Sequence, residues 1–126
     1  MITADQLVAH ALGDYVFQSH WMAQHKTSRW LPALAHAATY GLAFILMASP
    51  AALAVIVVTH LLIDRFRLAK YAVWAKNLIA PAMPGPLTTT GYPAGVPDWL
   101  AVWLMIAADN TIHVLVNGAA MSLWPR

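Results

Sequence analysis

Polar Gln6, His10, Asp14 and Gln18 recur at every fourth position among apolar Leu7, Val8, Ala11, Leu12, Tyr15, Val16, Trp21 and Met22. A period of four keeps side chains on one face of a helix, so the pattern predicts a helix over 3–24 with one continuous polar stripe, N-capped by Thr3. Between Arg29 and Asp64 no formally charged residue occurs. Pro32 suits the first turn of a second helix over 31–48, and Ser49-Pro50 separates that helix from a third over 51–76. The third passes through Val55-Ile56-Val57-Val58 and ends with Arg65, Arg67, Lys70, Tyr71, Trp74 and Lys76. Long cations and rings of this kind suit a headgroup boundary. Residues 81–97 hold five of the eight prolines and three of the six glycines, which predicts a loop, either a functional lid or a segment without fixed structure. Asp98 then caps a fourth helix over 98–124, with Trp99 and Trp103 near one end and Trp124 near the other.

Composition changes the environment these helices are expected to meet. The 126 residues fit one domain, 1–126, but 60% are hydrophobic and only 10% charged, with a mean hydropathy of +0.60. Seven Lys/Arg and five Asp/Glu are too few to cover a small soluble bundle, and intrinsic disorder fails on the same ground. The absence of cysteine excludes disulfides, thiolate metal sites and Cys nucleophiles. A net charge of +2 is too thin for a nucleic-acid footprint, so no nucleic-acid partner is expected. An acid at Asp5 and a first lysine only at Lys26 argue against a secretory signal at the N-terminus. The expected fold is therefore all-α, a four-helix transmembrane bundle. Lys26, Arg29, Arg65, Arg67, Lys70 and Lys76 fall on one side and Arg126 on the other. The positive-inside rule then places both termini on the non-cytoplasmic side; a half-inserted first helix is the alternative.

Chemistry enters with pairs four apart: His10 and Asp14, His60 and Asp64, Asp109 and His113, with His36 alone on the second helix. Each pair shares a helix face. By rise per residue, Asp14, His60 and Asp109 fall near mid-bilayer, His10 and His113 outward of them, and His36 and Asp64 inward. An uncompensated Asp at a helix centre costs about 2.5–3.5 kcal/mol on the insertion scale, and no Lys or Arg is expected at that depth. Protonation, histidinium partners or bound cations must neutralise the carboxylates. Imidazole and carboxylate suit one or two divalent ions, Zn, Mn or Fe, held by His10, Asp14, His36, His60, Asp64, Asp109 and His113. A metal-free network of interhelical hydrogen bonds is the alternative. Gln18, Asn110 and Asn117 read either as donors that orient the ligands or as packing groups, Tyr40 as an interfacial or core residue, and His20 and His25 as surface residues.

The blocks His10-Ala-Leu-Gly-Asp14-Tyr-Val-Phe-Gln18 with Trp21-Met22, then His36, Thr59-His60-Leu-Leu-Ile-Asp64 and Asp109-Asn-Thr-Ile-His113 resemble an uncharacterised family of small bacterial and phage membrane proteins, domain of unknown function 3307. The resemblance implies an integral protein of a bacterial inner membrane with an intramembrane polar site, and no established activity. The His-x3-Asp spacing also bears a looser likeness to membrane-bound metal-dependent hydrolases.

The leading expectation is a metal-dependent hydrolase of a lipid-borne ester or phosphoester, with a metal-activated water as nucleophile and Asp14, Asp64 or Asp109 as the catalytic carboxylate. Arg65, Arg67 and Lys70 either attract an anionic headgroup or only set topology. The alternatives are a metal-stabilised structural or interaction protein, self-associating through Gly118-Ala119-Ala120, and a carrier passing protons or metal ions along the His/Asp ladder. No Ser-His-Asp arrangement, P-loop or dinucleotide fingerprint is present.

Overall fold

The computed structural model describes residues 2–79 and 87–126. Among these the chain is helical throughout, without strands: α1 (Ala4–Ala11), a π-helical turn (Leu12–Val16), α2 (His20–His25), α3 (Trp30–Leu42), α4 (Pro50–Phe66), α5 (Leu68–Asn77) and α6 (Asp98–Leu123). Two of the four expected helices are interrupted, and the one expected over 31–48 ends at Leu42, with turns over 43–47. The helix expected over 3–24 begins as read, with Thr3 accepting from the Gln6 backbone N–H. It then slips into a five-residue hydrogen bond, the Phe17 N–H donating to the Leu12 carbonyl at 2.9 Å. It restarts only after Ser19, whose hydroxyl caps α2 by accepting from the Met22 N–H. The helix expected over 51–76 breaks at Arg67, which adopts the left-handed conformation with φ 51°. Residues 87–97 carry turns rather than helix, as expected; the remainder of the expected loop falls outside the described residues.

The interruptions bear on membrane crossing. At 1.5 Å per residue α3 is about 20 Å long and α4 about 25 Å, short of a hydrocarbon core of about 30 Å. Among the described residues only α6 is by itself long and apolar enough to cross a bilayer, with 26 residues and a mean hydropathy of 1.5 over its best window.

The chain divides into two compact units. The first comprises residues up to Phe66 together with His113–Arg126. Its ends are tied in antiparallel fashion. The Arg65 guanidinium donates to the carbonyls of Thr27 at 2.6 Å and Ser28 at 3.3 Å. At the opposite end the Ser49 hydroxyl donates to the Trp124 carbonyl at 2.7 Å, and Arg126 donates to the Leu46 carbonyl. The apolar core here is small: Ala9, Tyr40, Phe44, Ala48, Ala52, Ile56 and Ala120. Four alanines at these positions let helix backbones approach closely. Polarity is inverted around this core. Gln6, His10, Asp14, His36, His60, Asp64, His113 and Asn117 are buried, while Leu31 is 70% and Leu46 82% exposed.

The second unit, Arg67–Ile112, folds residues 87–97 back onto α5. Gly91, with φ +81°, passes so close to the Lys70 carbonyl that any Cβ would collide with it. The Asn77 amide donates to the Gly91 carbonyl at 3.4 Å, and Lys76 Nζ donates to the Tyr92 hydroxyl at 2.9 Å.

Candidate metal centre

The first unit brings together six of the seven expected ligands, His10, Asp14, His36, His60, Asp64 and His113, all of them buried. The π-helical turn carries Asp14 and is tightened at Gly13, where a Cβ would run into the Tyr40 ring. Turns of this kind recur at functional sites, because one extra residue re-aims the side chains that follow. Gln6, His10 and Asp14 keep the buried side, whereas Gln18, beyond the turn, is only half-buried.

At the centre lies a triangle of lone-pair atoms from three chain segments. His36 Nε2 and His60 Nε2 stand 3.0 Å apart, and Asp14 Oδ1 lies 3.4 Å from the first and 3.5 Å from the second. An ion with bonds of about 2.0–2.1 Å to N and O in tetrahedral geometry requires ligand–ligand edges of about 3.3–3.4 Å. The three edges fit one face of that tetrahedron. Among the described residues Asp14 Oδ1 makes no close hydrogen bond; it faces the two imidazoles at ion-pair distance.

Asp64 sits across the same pair of nitrogens. Its Oδ2 is 3.1 Å from His36 Nε2 and 3.2 Å from His60 Nε2. Lys26 reaches it: Nζ donates to Asp64 Oδ2 at 2.8 Å and stands 3.2 Å from His36 Nε2. The expectation that no Lys or Arg meets the buried carboxylates is thereby overturned. A lysine just past the end of α2 turns its stem inward, and the two Arg65 bonds to Thr27 and Ser28 hold that loop in place. Two carboxylates and one ammonium leave the cluster one negative charge in excess when both imidazoles are neutral.

A second layer is built from neutral groups. Asn117 Nδ2 donates to Tyr40 Oη at 2.6 Å, and Tyr40 Oη bonds His10 Nδ1 at 2.9 Å. His10 Nδ1 is also 3.4 Å from Asp14 Oδ2, so His10 addresses the carboxylate oxygen that the triangle does not use. The Tyr40 ring lies flat on His60, centroids 3.6 Å apart and 12° from parallel, and His113 packs against His60 at 4.4 Å. His60, Asp64 and His113 form a second grouping with metal-compatible spacing. Tyr40, read in the sequence as interfacial or core, and Asn117, read as an orienting donor or packing, are thus the groups that fix His10 and His60. Their signal in the sequence is only spacing, four residues after His36 and after His113.

Asp109 stands in neither metal-compatible grouping and is half-buried, as is Asn110. His20 is exposed, and His25 is half-buried with Nδ1 3.0 Å from the Trp21 carbonyl oxygen.

The family described as protein of unknown function (DUF3307) matches residues 2–81. The chain belongs to that family. The matched region contains Asp14, Lys26, His36, Tyr40, His60 and Asp64, while Asp109, His113 and Asn117 lie beyond it. No curated protein and no solved structure matches the chain. The buried Asp and His groups can hold a metal ion, and the same groups form ion pairs with one another.

Proposed function

We propose that this protein is an integral membrane metalloprotein whose Asp14, His36 and His60 hold one divalent ion and hydrolyse a lipid-borne ester or phosphoester. The observation that carries the reading is the donor triangle, with edges of 3.0, 3.4 and 3.5 Å, set inside a unit whose exterior is apolar. Held by these three donors alone, an ion would keep a fourth position for water or substrate, as in catalytic rather than structural zinc sites. Asp64, beside the same two nitrogens and bonded to Lys26, would then serve as the base for a water activated by such an ion. His10 orients Asp14 through its other oxygen, as partners of ligating groups do in metal sites.

Membrane insertion is supported by the inverted polarity of the first unit and by the length of α6. In the four-span arrangement α3 and the turns that follow it cross together, the Lys26–Arg29 and Arg65 end faces the cytoplasm, and the Ser49, Trp124 and Arg126 end faces outward. The test is twofold. The protein should resist alkaline carbonate extraction from membranes. Purified without chelators, it should carry close to one equivalent of a transition metal that His60→Ala removes. Hydrolysis is then assayed in proteoliposomes, where Asp64→Asn should abolish turnover and keep the ion. Retained ion with no turnover by the wild type on any phospholipid or acyl-ester substrate would sink the enzymatic part alone.

A tightly held ion without turnover would return the reading to the structural alternative. For that alternative the flat Tyr40–His60 stack is the favouring observation, since it immobilises a ligand.

A further inference from the structure

We infer that the loaded centre is a receptor for a monoanionic phosphodiester, with Lys26 as the residue that selects it; the inference rests on the metal reading above. It starts from charge. With His36 and His60 neutral, as ligation of an ion requires, Asp14, Asp64 and Lys26 carry one excess negative charge, and a divalent ion at the donor triangle changes that to one excess positive charge. A buried unit charge is costly until it is paired. A neutral carboxyl ester at the open position leaves the charge in place, and a phosphate dianion overshoots it. A phosphodiester cancels it.

Geometry puts Lys26 within reach of such a group. Nζ lies 3.2 Å from His36 Nε2, so an ion bonded to that nitrogen at about 2.0 Å stands no more than about 5 Å from Nζ. Two oxygens of a single phosphoryl group can address both. An ammonium has three N–H donors. Asp64 Oδ2 takes one at 2.8 Å. The contact to His36 Nε2 no longer accepts a proton once that lone pair is given to an ion, which leaves two donors for the phosphoryl oxygens. Lys26 is also the part of the cluster nearest solvent, its side chain 18% exposed against 6% for Asp64. Arg65 pins the neighbouring carbonyls of Thr27 and Ser28, so the lysine is held at the mouth of the cluster.

The experiment uses the full chain in phosphate-free non-ionic detergent, loaded with Co2+, whose visible absorption reports its coordination. Dimethyl phosphate is titrated in parallel with trimethyl phosphate, which has the same shape without the charge. The wild type should bind dimethyl phosphate at least about tenfold more tightly than trimethyl phosphate. Lys26→Met should lose that preference while keeping one equivalent of Co2+. Equal binding of the two probes by the wild type overturns the inference without reference to any variant, and so does a Lys26→Met protein that retains the preference. A wild type that takes up no Co2+ overturns the metal reading itself and this inference with it. A competition arm separates the sources of the ligand: displacement of dimethyl phosphate by lysophosphatidylglycerol at far lower concentration than by glycerophosphoglycerol marks the diester as lipid-borne, and equal displacement marks it as soluble.

Discussion

Two layers of buried polar groups lie side by side in the first unit, and they are satisfied in opposite ways. In the layer of His10, Tyr40 and Asn117, donors and acceptors match: an amide gives to a phenol oxygen, and the phenol bonds an imidazole. Nothing there requires a formal charge. In the layer of Asp14, His36, His60 and Asp64, carboxylate oxygens and imidazole nitrogens face one another across 3.0–3.5 Å, and Lys26 adds a cation beside Asp64. Neighbouring positions on the same helices therefore produce one layer of hydrogen bonds around a phenol and one built on carboxylates. Spacing alone does not set that difference; the carboxylates of Asp14 and Asp64 against His36 and His60 do.

The comparison can be broken most forcefully at Asp64. Replacing it with alanine strips the half-buried Lys26 ammonium of its carboxylate beside His36, and loss of one partner of a buried pair costs up to about 3–5 kcal/mol. Chemical denaturation should show a loss approaching that order. The double variant Asp64→Ala, Lys26→Met should recover much of the stability and none of the enzymatic turnover. A smaller effect is expected at the seam between the layers. Gly13→Ala drives a methyl group into the Tyr40 ring, an overpacking worth about 1–3 kcal/mol, and thermal melting should fall accordingly.

Tyr40→Phe tests the neutral layer itself. It keeps the ring on His60 but strips the hydroxyl from Asn117 and His10, so stability should drop by about 1–2 kcal/mol while ion affinity falls less than about tenfold. A larger loss of ion than of stability would mean that the layers are not separable. The smallest effect belongs to Asp109→Asn. With Asp109 in neither metal-compatible grouping, the ion content of the purified protein should stay at the wild-type level.

Much of this was readable before any coordinates. The four-residue spacing put Gln6, His10 and Asp14 on one buried side, and the pairing of His60 with Asp64 marked the face of α4 that turns inward. The helix start at Thr3 was signalled by its side chain, whereas Asp98, read as a cap, is the first residue within α6. Three things were not readable, each for a physical reason. The π-helical turn has no local signature beyond Gly13, whose lack of a side chain matters only because the Tyr40 ring of another helix packs there. Lys26 sits in a short basic loop whose composition speaks of topology, and nothing local tells a stem that snorkels outward from one that folds inward to a carboxylate. The left-handed break at Arg67 runs against the intrinsic preference of a residue with a Cβ, so no local propensity announces it.

The central claim is that a cation belongs between Asp14, His36 and His60. X-ray absorption at the metal edge, on protein purified without chelators, tests it most directly. The account predicts about one equivalent of a divalent metal with only N and O neighbours at about 2.0–2.1 Å, including the outer-shell scattering of two imidazoles. Less than about a tenth of an equivalent of any transition metal, or a bound metal whose spectrum lacks imidazole, would contradict it.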